Sequence, residues 1–325
     1  MLNNVSHKPA FAMHPNGSLN HLPVNTSALP NDDPLRNIQH LTGKDLVSRK
    51  ALITILKSTD HPLQQDLRAF LSSFDPERPA DHTVLKRYAI RFTQVIKTAR
   101  NYTAWASGNQ FEQRLYQHWQ ASKTIVIAGG ITSGLFGIHL ASIVEESFNH
   151  MDVLASPWAG QTALFGLAQA VGQREDLLVM DFGGTGVKCG IAYHFGNKIE
   201  PLFELEVEPY KQQGLIYPDG FNKLLMAARK QVRRSLPVAI SLACYMDDGI
   251  VFKYKSGIYY PLGQTIENLA KTLNDQWLPA AGFQELKTLQ HDSTAAAMAF
   301  QFTTPAMMVT LGTGLGSAPC PCALP

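Results

Sequence analysis

Cysteine is scarce in this sequence, four among 325 residues, and that scarcity excludes a disulfide scaffold. Cys189 and Cys244 stand alone in apolar, strand-like segments, while Cys320 and Cys322 form a single Cys-Pro-Cys with no second Cys or His pair at zinc-ligand spacing. These read as reduced structural thiols. Charge of one sign is also lacking: the net charge is +2, which gives no basis for coating a polyanion and sets nucleic acid aside as a partner. No uninterrupted apolar run is long enough to cross a bilayer, and Met1 to Lys8 show neither a basic region nor an apolar core. The expectation is a cytoplasmic protein without a membrane partner. Internal repeats and low-complexity blocks are absent too, as is the Gly-Lys-Ser/Thr of a Walker loop.

What remains is ordinary globular material, 45% apolar and 17% charged, in a chain long enough for two lobes with a cleft between them. Residues 1 to about 35 hold five prolines among Asn, Ser and His, without a helical or alternating period; they read as loop. Helical spacing then runs from Asp45 to Gln120: Leu46, Leu52, Ile55 and Leu56 suit one amphipathic helix, Leu67, Phe70 and Leu71 a second, and Val84 to Trp105 a long third. The β-branched run Thr124 to Ala128 predicts a buried strand, stopped by Gly129-Gly130 and followed by a helix through Phe148. A helix over Ala163 to Val171 leads through a polar loop at 172–176 into the strand Leu177 to Met180. Further strands are expected near 186–193, 201–207, 237–242 and 307–311, and helices near 220–235 and 264–277. Strands and helices interleave, which predicts α/β layers.

Three segments carry chemistry. Asp181-Phe182-Gly183-Gly184-Thr185-Gly186 follows a strand and turns on glycines. Such a turn brings backbone N–H groups and a threonine hydroxyl up to phosphate oxygens, and its carboxylate suits Mg²⁺ held through water; a tight hairpin with a polar tip is the plainer reading. Leu311-Gly312-Thr313-Gly314-Leu315-Gly316 repeats the arrangement after another strand, and two such turns can clamp a polyphosphate where a structural hairpin has no need to. Gly129-Gly130-Ile131 either meets the nucleoside or is ordinary helix entry. Between the two phosphate turns, His291-Asp292 opens an alanine-rich helix. Asp292 reads as a helix cap or as the base that phosphoryl transfer to an alcohol requires. Lys188 adds a cation near the first turn or is a solvated strand lysine.

Together these segments resemble the actin/hexokinase/Hsp70 superfamily and, within it, the ROK family of sugar kinases and repressors. Asp181–Thr185 resembles that family's first phosphate motif, Leu311–Gly316 its second, Ile125–Gly130 its adenosine motif, His291-Asp292 its Asn-Asp catalytic segment and Ser156–Ala170 its closing helix. Val238–Ser241 leading to Asp247-Asp248-Gly249 resembles the strand and turn before the catalytic segment. The order differs: the closing helix here precedes the first phosphate strand, as in a circular permutation that joins the old ends. Gly17 to Pro23 then resembles the family's sugar-contacting Gly-Glu-x-Gly-His segment, and Ile38–Gly43 the stretch after it. Departures are Ser18 for the glutamate, His291 for the asparagine, Ala243 to Met246 for a Pro-Gly, and a missing zinc-binding cysteine cluster.

The resemblance implies a two-lobed ribonuclease H-like, actin-like ATPase fold with a nucleotide cleft and permuted order. It divides the chain into a larger lobe of 1–160 plus 300–325 and a smaller lobe of 161–299. It further implies an ATP- and Mg²⁺-dependent phosphotransferase acting on a sugar or sugar-like hydroxyl, with Asp292 as base and Asp181 as metal residue. Gly183, Gly184, Thr185, Lys188, Gly312, Thr313, Gly314, Gly129, Gly130 and Ile131 would hold the nucleotide, and Ser18, His21, His291 and Asp292 would meet a small-molecule acceptor. A catalytically weak or inactive sensor or scaffold is the alternative, and a homodimer stays open. The loop-like 1–35 offers no helix-turn-helix, which disfavours a DNA-binding repressor.

Overall fold

Long-range β pairing divides the secondary structure into two groups, described by a computed structural model over residues 9–172, 175–193, 196 and 198–322. The chain forms two compact units, one of Met1–Pro15 and Gln161–Gln301, the other of Asn16–Gly160 and Phe302–Pro325. Each has its own sheet.

In the unit of Gln161–Gln301 the sheet runs in the order Leu286–His291, Val238–Leu242, Leu177–Phe182, Gly186–Tyr193 and Lys198–Ile199, with Phe203–Glu206 also paired to Gly186–Tyr193. The first three strands are mutually parallel, and Gly186–Tyr193 returns antiparallel. Leu177–Phe182 is buried along its whole length, as a central strand covered on both faces must be. Its alternate residues Leu178, Met180 and Phe182 enter one hydrophobic core with Phe221, Leu224 and Leu225 of the helix Pro218–Val232. Phe182 stacks on Phe221 with ring centroids 4.4 Å apart. That helix starts on a proline and carries Arg229 and Lys230 in its last turn, matching its macrodipole. The helix Thr162–Val171 packs on Leu177–Phe182 and Val238–Leu242 and on the short helix Asp292–Ala297. Gly166 makes that helix contact feasible, since a Cβ there would lie 1.7 Å from the Ala295 carbonyl oxygen.

In the other unit the order is Leu315–Pro319, Ala306–Leu311, Thr124–Ala128 and Asp152–Ala155. The first pair is antiparallel and the remaining pairs are parallel. This is the strand order of the other unit's core: a return strand, a strand ending in a glycine turn, then two parallel strands. The chain visits it differently. The hairpin comes first in one unit and last in the other. The helix Gly134–Glu146 packs on Asp152–Ala155 and Thr124–Ala128, and the 22-residue Pro79–Arg100 packs on that helix, with Phe70, Phe74, Tyr88 and Phe136 in edge-to-face contact.

Several expectations need correction. The segment read as one helix around Leu46–Leu56 is two, Gly43–Val47 and Arg49–Ser58, because Ser48 is extended and caps the second with its side chain. The long helix is Pro79–Arg100 rather than Val84–Trp105, begun by its proline, with Trp105 in a separate turn of helix, Thr103–Ala106. The helix expected near 264–277 is broken at Ile266, which is extended, and restarts on the side-chain cap of Asn268. The proline-bearing start contains three short 3-10 turns, Pro15–Gly17, Leu19–His21 and Thr26–Ala28. It is held by a bidentate pair of Arg91 with Asp33, both bonds 2.8 Å, and by Trp105 donating to the Asn16 carbonyl. Strands Asp152–Ala155, Leu286–His291 and Leu315–Pro319 were not expected.

Candidate functional site

In the unit of Gln161–Gln301, Asp181 belongs to the strand itself, and the register sets its neighbours. Gln290 pairs with Ser241, Ser241 with Asp181, Asp181 with Lys188 and Lys188 with Glu204. Paired residues in a sheet point to the same face, so five polar side chains cross five strands in one row. The flanking row through Leu242, Phe182 and Val187 is core. Ser241 donates a 2.7 Å hydrogen bond to Asp181 Oδ1. Burial pushes the Asp181 carboxyl above its ordinary pKa, Lys188 opposes this, Asp292 and Glu204 add to the rise, and Ser241 opposes it. Asp181 and Asp292 are therefore electrostatic neighbours. Lys188 is half-buried, in register between two acids in the row.

The turn after Asp181 closes on itself. Gly183 donates to the Asp181 and Gly186 carbonyls, and its own carbonyl accepts from the buried Tyr259 hydroxyl at 3.0 Å. The Gly183 N–H is thus spent inside the turn. Those of Gly184 and Thr185 donate to nothing among the described residues, and Thr185 is exposed. Tyr259, packed on Phe182 and Phe221, carried no signal in the sequence beyond its apolar surroundings.

Asp292 is the first residue of the helix Asp292–Ala297, with His291 in the cap position, so it is not the cap. Its Oδ1 accepts from Ser293 N at 2.6 Å and Ser293 Oγ at 3.1 Å, and His291 Nε2 lies 3.1 Å from the same oxygen. Its Oδ2 accepts no hydrogen bond among the described residues, and the side chain is 32% exposed. His291 is buried, its ring stacked on Tyr245 at 4.6 Å, and burial lowers its pKa against the opposing charge of Asp292.

The other unit holds the remaining residues. Gly312 donates to the Gly314 carbonyl and accepts from Arg49 N–H at 2.7 Å; the N–H groups of Thr313 and Gly314 donate to nothing among the described residues, and Thr313 is exposed. Asn20 clamps the end of this turn, accepting from Leu315 N–H at 2.8 Å and donating to the Leu315 carbonyl at 2.6 Å. The chain's first turns thus fold against its second glycine turn. Gly129, at φ 104°, has its Cα against the Leu311 backbone, where a Cβ would lie 2.2 Å from the carbonyl oxygen. That approach sets Gly129-Gly130 beside Leu311-Gly312. Gly130 is exposed; the Ile131 side chain is buried, leaving only its backbone for a ligand. Ser18 is buried, with a hydroxyl that finds no partner among the described residues, while His21 is exposed. Asn20 was missed as a contributor, since its partner is distant in sequence.

The donor set around Asp181 tests the fit to Mg²⁺. Carboxylate oxygens are hard ligands, a cation would offset the mutual repulsion of Asp181 and Asp292, and Mg²⁺ takes one or two carboxylates and completes its shell with water and phosphate. No group of three or more His, Cys, Asp or Glu residues suited to a metal occurs among the described residues, so the residues present fit a water- and phosphate-completed Mg²⁺, not a full protein cage.

The fold and site define an α/β protein with two glycine-turn sheets of shared strand order, one of which carries Asp181, electrostatically coupled to Asp292 on the helix that follows another of its strands. No protein-family model matches the chain, and no curated protein matches it. Among solved structures it is similar to a protein provisionally named a sugar kinase from Cytophaga hutchinsonii, at 18% identity and a TM-score of 0.31 over 45% of this chain and 48% of that one. A Ppx/GppA family member from Aquifex aeolicus matches at 10% identity and a TM-score of 0.30 over 46% and 49%. A ROK family protein from Streptococcus pneumoniae, solved with sucrose, matches at 16% identity and a TM-score of 0.28 over 45% and 46%. The chain spans about half the length of each of these structures. No helix among the described residues is long and apolar enough to cross a membrane.

Proposed function

We propose that the chain is an ATP-dependent kinase of the actin-like ATPase fold, circularly permuted, that transfers the γ-phosphoryl group to a hydroxyl of a sugar or sugar-like small molecule. The observation that carries this reading is the pair Asp181 and Asp292: one buried carboxylate leading into a glycine turn with unspent N–H groups, and one half-exposed carboxylate with a free oxygen. Asp292 Oδ2 orients the acceptor hydroxyl and takes its proton as the new P–O bond forms and the bond from the γ-phosphorus to the bridging oxygen breaks, with ADP as the leaving group. Asp181, with Ser241 fixing one carboxylate oxygen, would hold Mg²⁺. Mg²⁺ bound there supplies charge neutralisation for the transferring phosphate. Gly184 and Thr185, with Lys188, are the proposed phosphate contacts of this unit; Thr313, Gly314, Gly129, Gly130 and the Ile131 backbone are those proposed for nucleotide in the other.

The test is Asp292→Ala with MgATP and a panel of hexoses and N-acetylhexosamines. ADP release falls by about 10²–10⁴-fold while calorimetric MgATP affinity stays unchanged. Full turnover by the variant rejects Asp292 as the base.

One observation favours the second reading, a nucleotide-binding sensor or scaffold without transfer. Ser18 and His291, two residues assigned to acceptor contact by resemblance, are both buried. Tight nucleotide binding by the wild-type chain with no ADP release on any acceptor would support it.

A further inference from the structure

His291 is the residue of the catalytic segment that departs from the family pattern, and its surroundings define one protonation state. Nδ1 is buried with no hydrogen-bond partner among the described residues, whereas Nε2 lies 3.1 Å from Asp292 Oδ1. Three states are available to the ring. A proton on Nδ1 would bury an unsatisfied donor and point the Nε2 lone pair at a carboxylate oxygen. The imidazolium would bury the same unsatisfied donor together with a charge. A proton on Nε2 alone leaves only a bare acceptor unpaired and gives the carboxylate a donor within normal hydrogen-bond distance.

We propose that His291, neutral and protonated on Nε2, is a positioning residue for Asp292: it and Ser293 occupy Oδ1, so that Oδ2 alone is presented for proton transfer. Tyr245 fixes the ring plane by stacking at an interplanar angle of 14°, and the extended backbone of His291 (φ −62°, ψ 142°) sets the side chain ahead of the helix. Ser293 donates two hydrogen bonds to Oδ1, from its N–H and its hydroxyl. A carboxylate free to rotate would offer either oxygen in many orientations; one whose Oδ1 takes two hydrogen bonds from Ser293 and lies 3.1 Å from His291 Nε2 is confined to one presentation.

The catalytic consequence rests on the kinase reading, so the test has one arm that does not. In long-range ¹H–¹⁵N spectra of the full chain at neutral pH, His291 is expected to show a protonated Nε2 and a bare Nδ1, with both signals shifted by Asp292→Asn. A protonated Nδ1, an imidazolium, or ring signals unmoved by Asp292→Asn would overturn the proposal whether or not the protein is a kinase. In the second arm, His291→Phe keeps the ring stack and removes the donor, and His291→Gln returns an N–H near the Nε2 position. With MgATP and the sugar panel, Phe lowers kcat by up to about 10²-fold with KM for ATP unchanged, and Gln recovers part of the loss. A Phe variant with wild-type kcat overturns the positioning role. Absence of ADP release from the wild-type chain, with the expected spectra, overturns the kinase reading alone.

Discussion

Asp181 is costly where it stands. Its carboxyl titrates above its ordinary value because burial and the Asp292 charge both disfavour ionisation, so its contribution to stability is complete below the unfolded value of about 3.9 and is lost as pH rises through the higher folded value. Asp181→Asn should therefore raise the melting temperature at pH 7 without Mg²⁺ and abolish any stabilisation by MgATP. A variant that melts lower than wild type in the absence of nucleotide would contradict this. Asp33 behaves in the opposite sense. Burial alone would raise it, but the Arg91 guanidinium and the Leu35 N–H hold it below its ordinary value. The pair's stability is present above about pH 4 and lost as pH falls through the lower folded value. Asp33→Asn strands the buried Arg91 charge, should cost about 3–5 kcal/mol, and should remove this part of the acid limb of the stability curve measured by thermal melts.

At the scale of elements, contact between Thr162–Val171 and Asp292–Ala297 relies on a missing side chain. Gly166→Ala must displace one of them, because Ala295 is approached through its backbone oxygen. The expected loss is about 1–3 kcal/mol in urea denaturation, and since the displaced helix carries Asp292, the phosphoryl transfer proposed above should fall with it. How far elements could be read from sequence followed the distance to their partners. Thr124–Ala128 was fully legible because a β-branched run buried on both faces needs no context. Leu286–His291 was not: Lys287 and Gln290 break any apolar pattern, and its single sheet neighbour, Val238–Leu242, lies far along the chain. Leu315–Pro319 consists largely of small residues and becomes a strand only by pairing back on Ala306–Leu311. The site divides the same way. Asp181 and Asp292 stand beside apolar runs and could be picked out, whereas the row that joins Ser241, Lys188 and Glu204 to Asp181 is a product of register, and Tyr259 and Asn20 act on backbone far from them in sequence.

At the scale of the whole molecule, the two units repeat one strand order with opposite chain order of hairpin and parallel pair. The second half of one sheet is delivered by Phe302–Pro325, after the other unit is complete. Ending the chain at Gln301 would remove Ala306–Leu311 and Leu315–Pro319 and leave Thr124–Ala128 with one neighbour. Hydrogen exchange should then show lost protection at Ile125–Ala128 with protection kept in Leu177–Phe182 and Val238–Leu242. Equal loss in both sheets would mean that the core of Gln161–Gln301 depends on the other unit.

The strand Thr124–Ala128 also has a history during synthesis. In chain order it comes with Asp152–Ala155 before Gln161–Gln301, and its other neighbour, Ala306–Leu311, comes after, so during translation of Gln161–Gln301 one apolar edge of the strand would stand without its partner. An unpaired parallel edge is a site for mispairing between nascent chains. Slowing translation between residues 161 and 301 lengthens that exposure, so the yield of native protein should depend on the codon speed of a segment that contributes no residue to the vulnerable sheet.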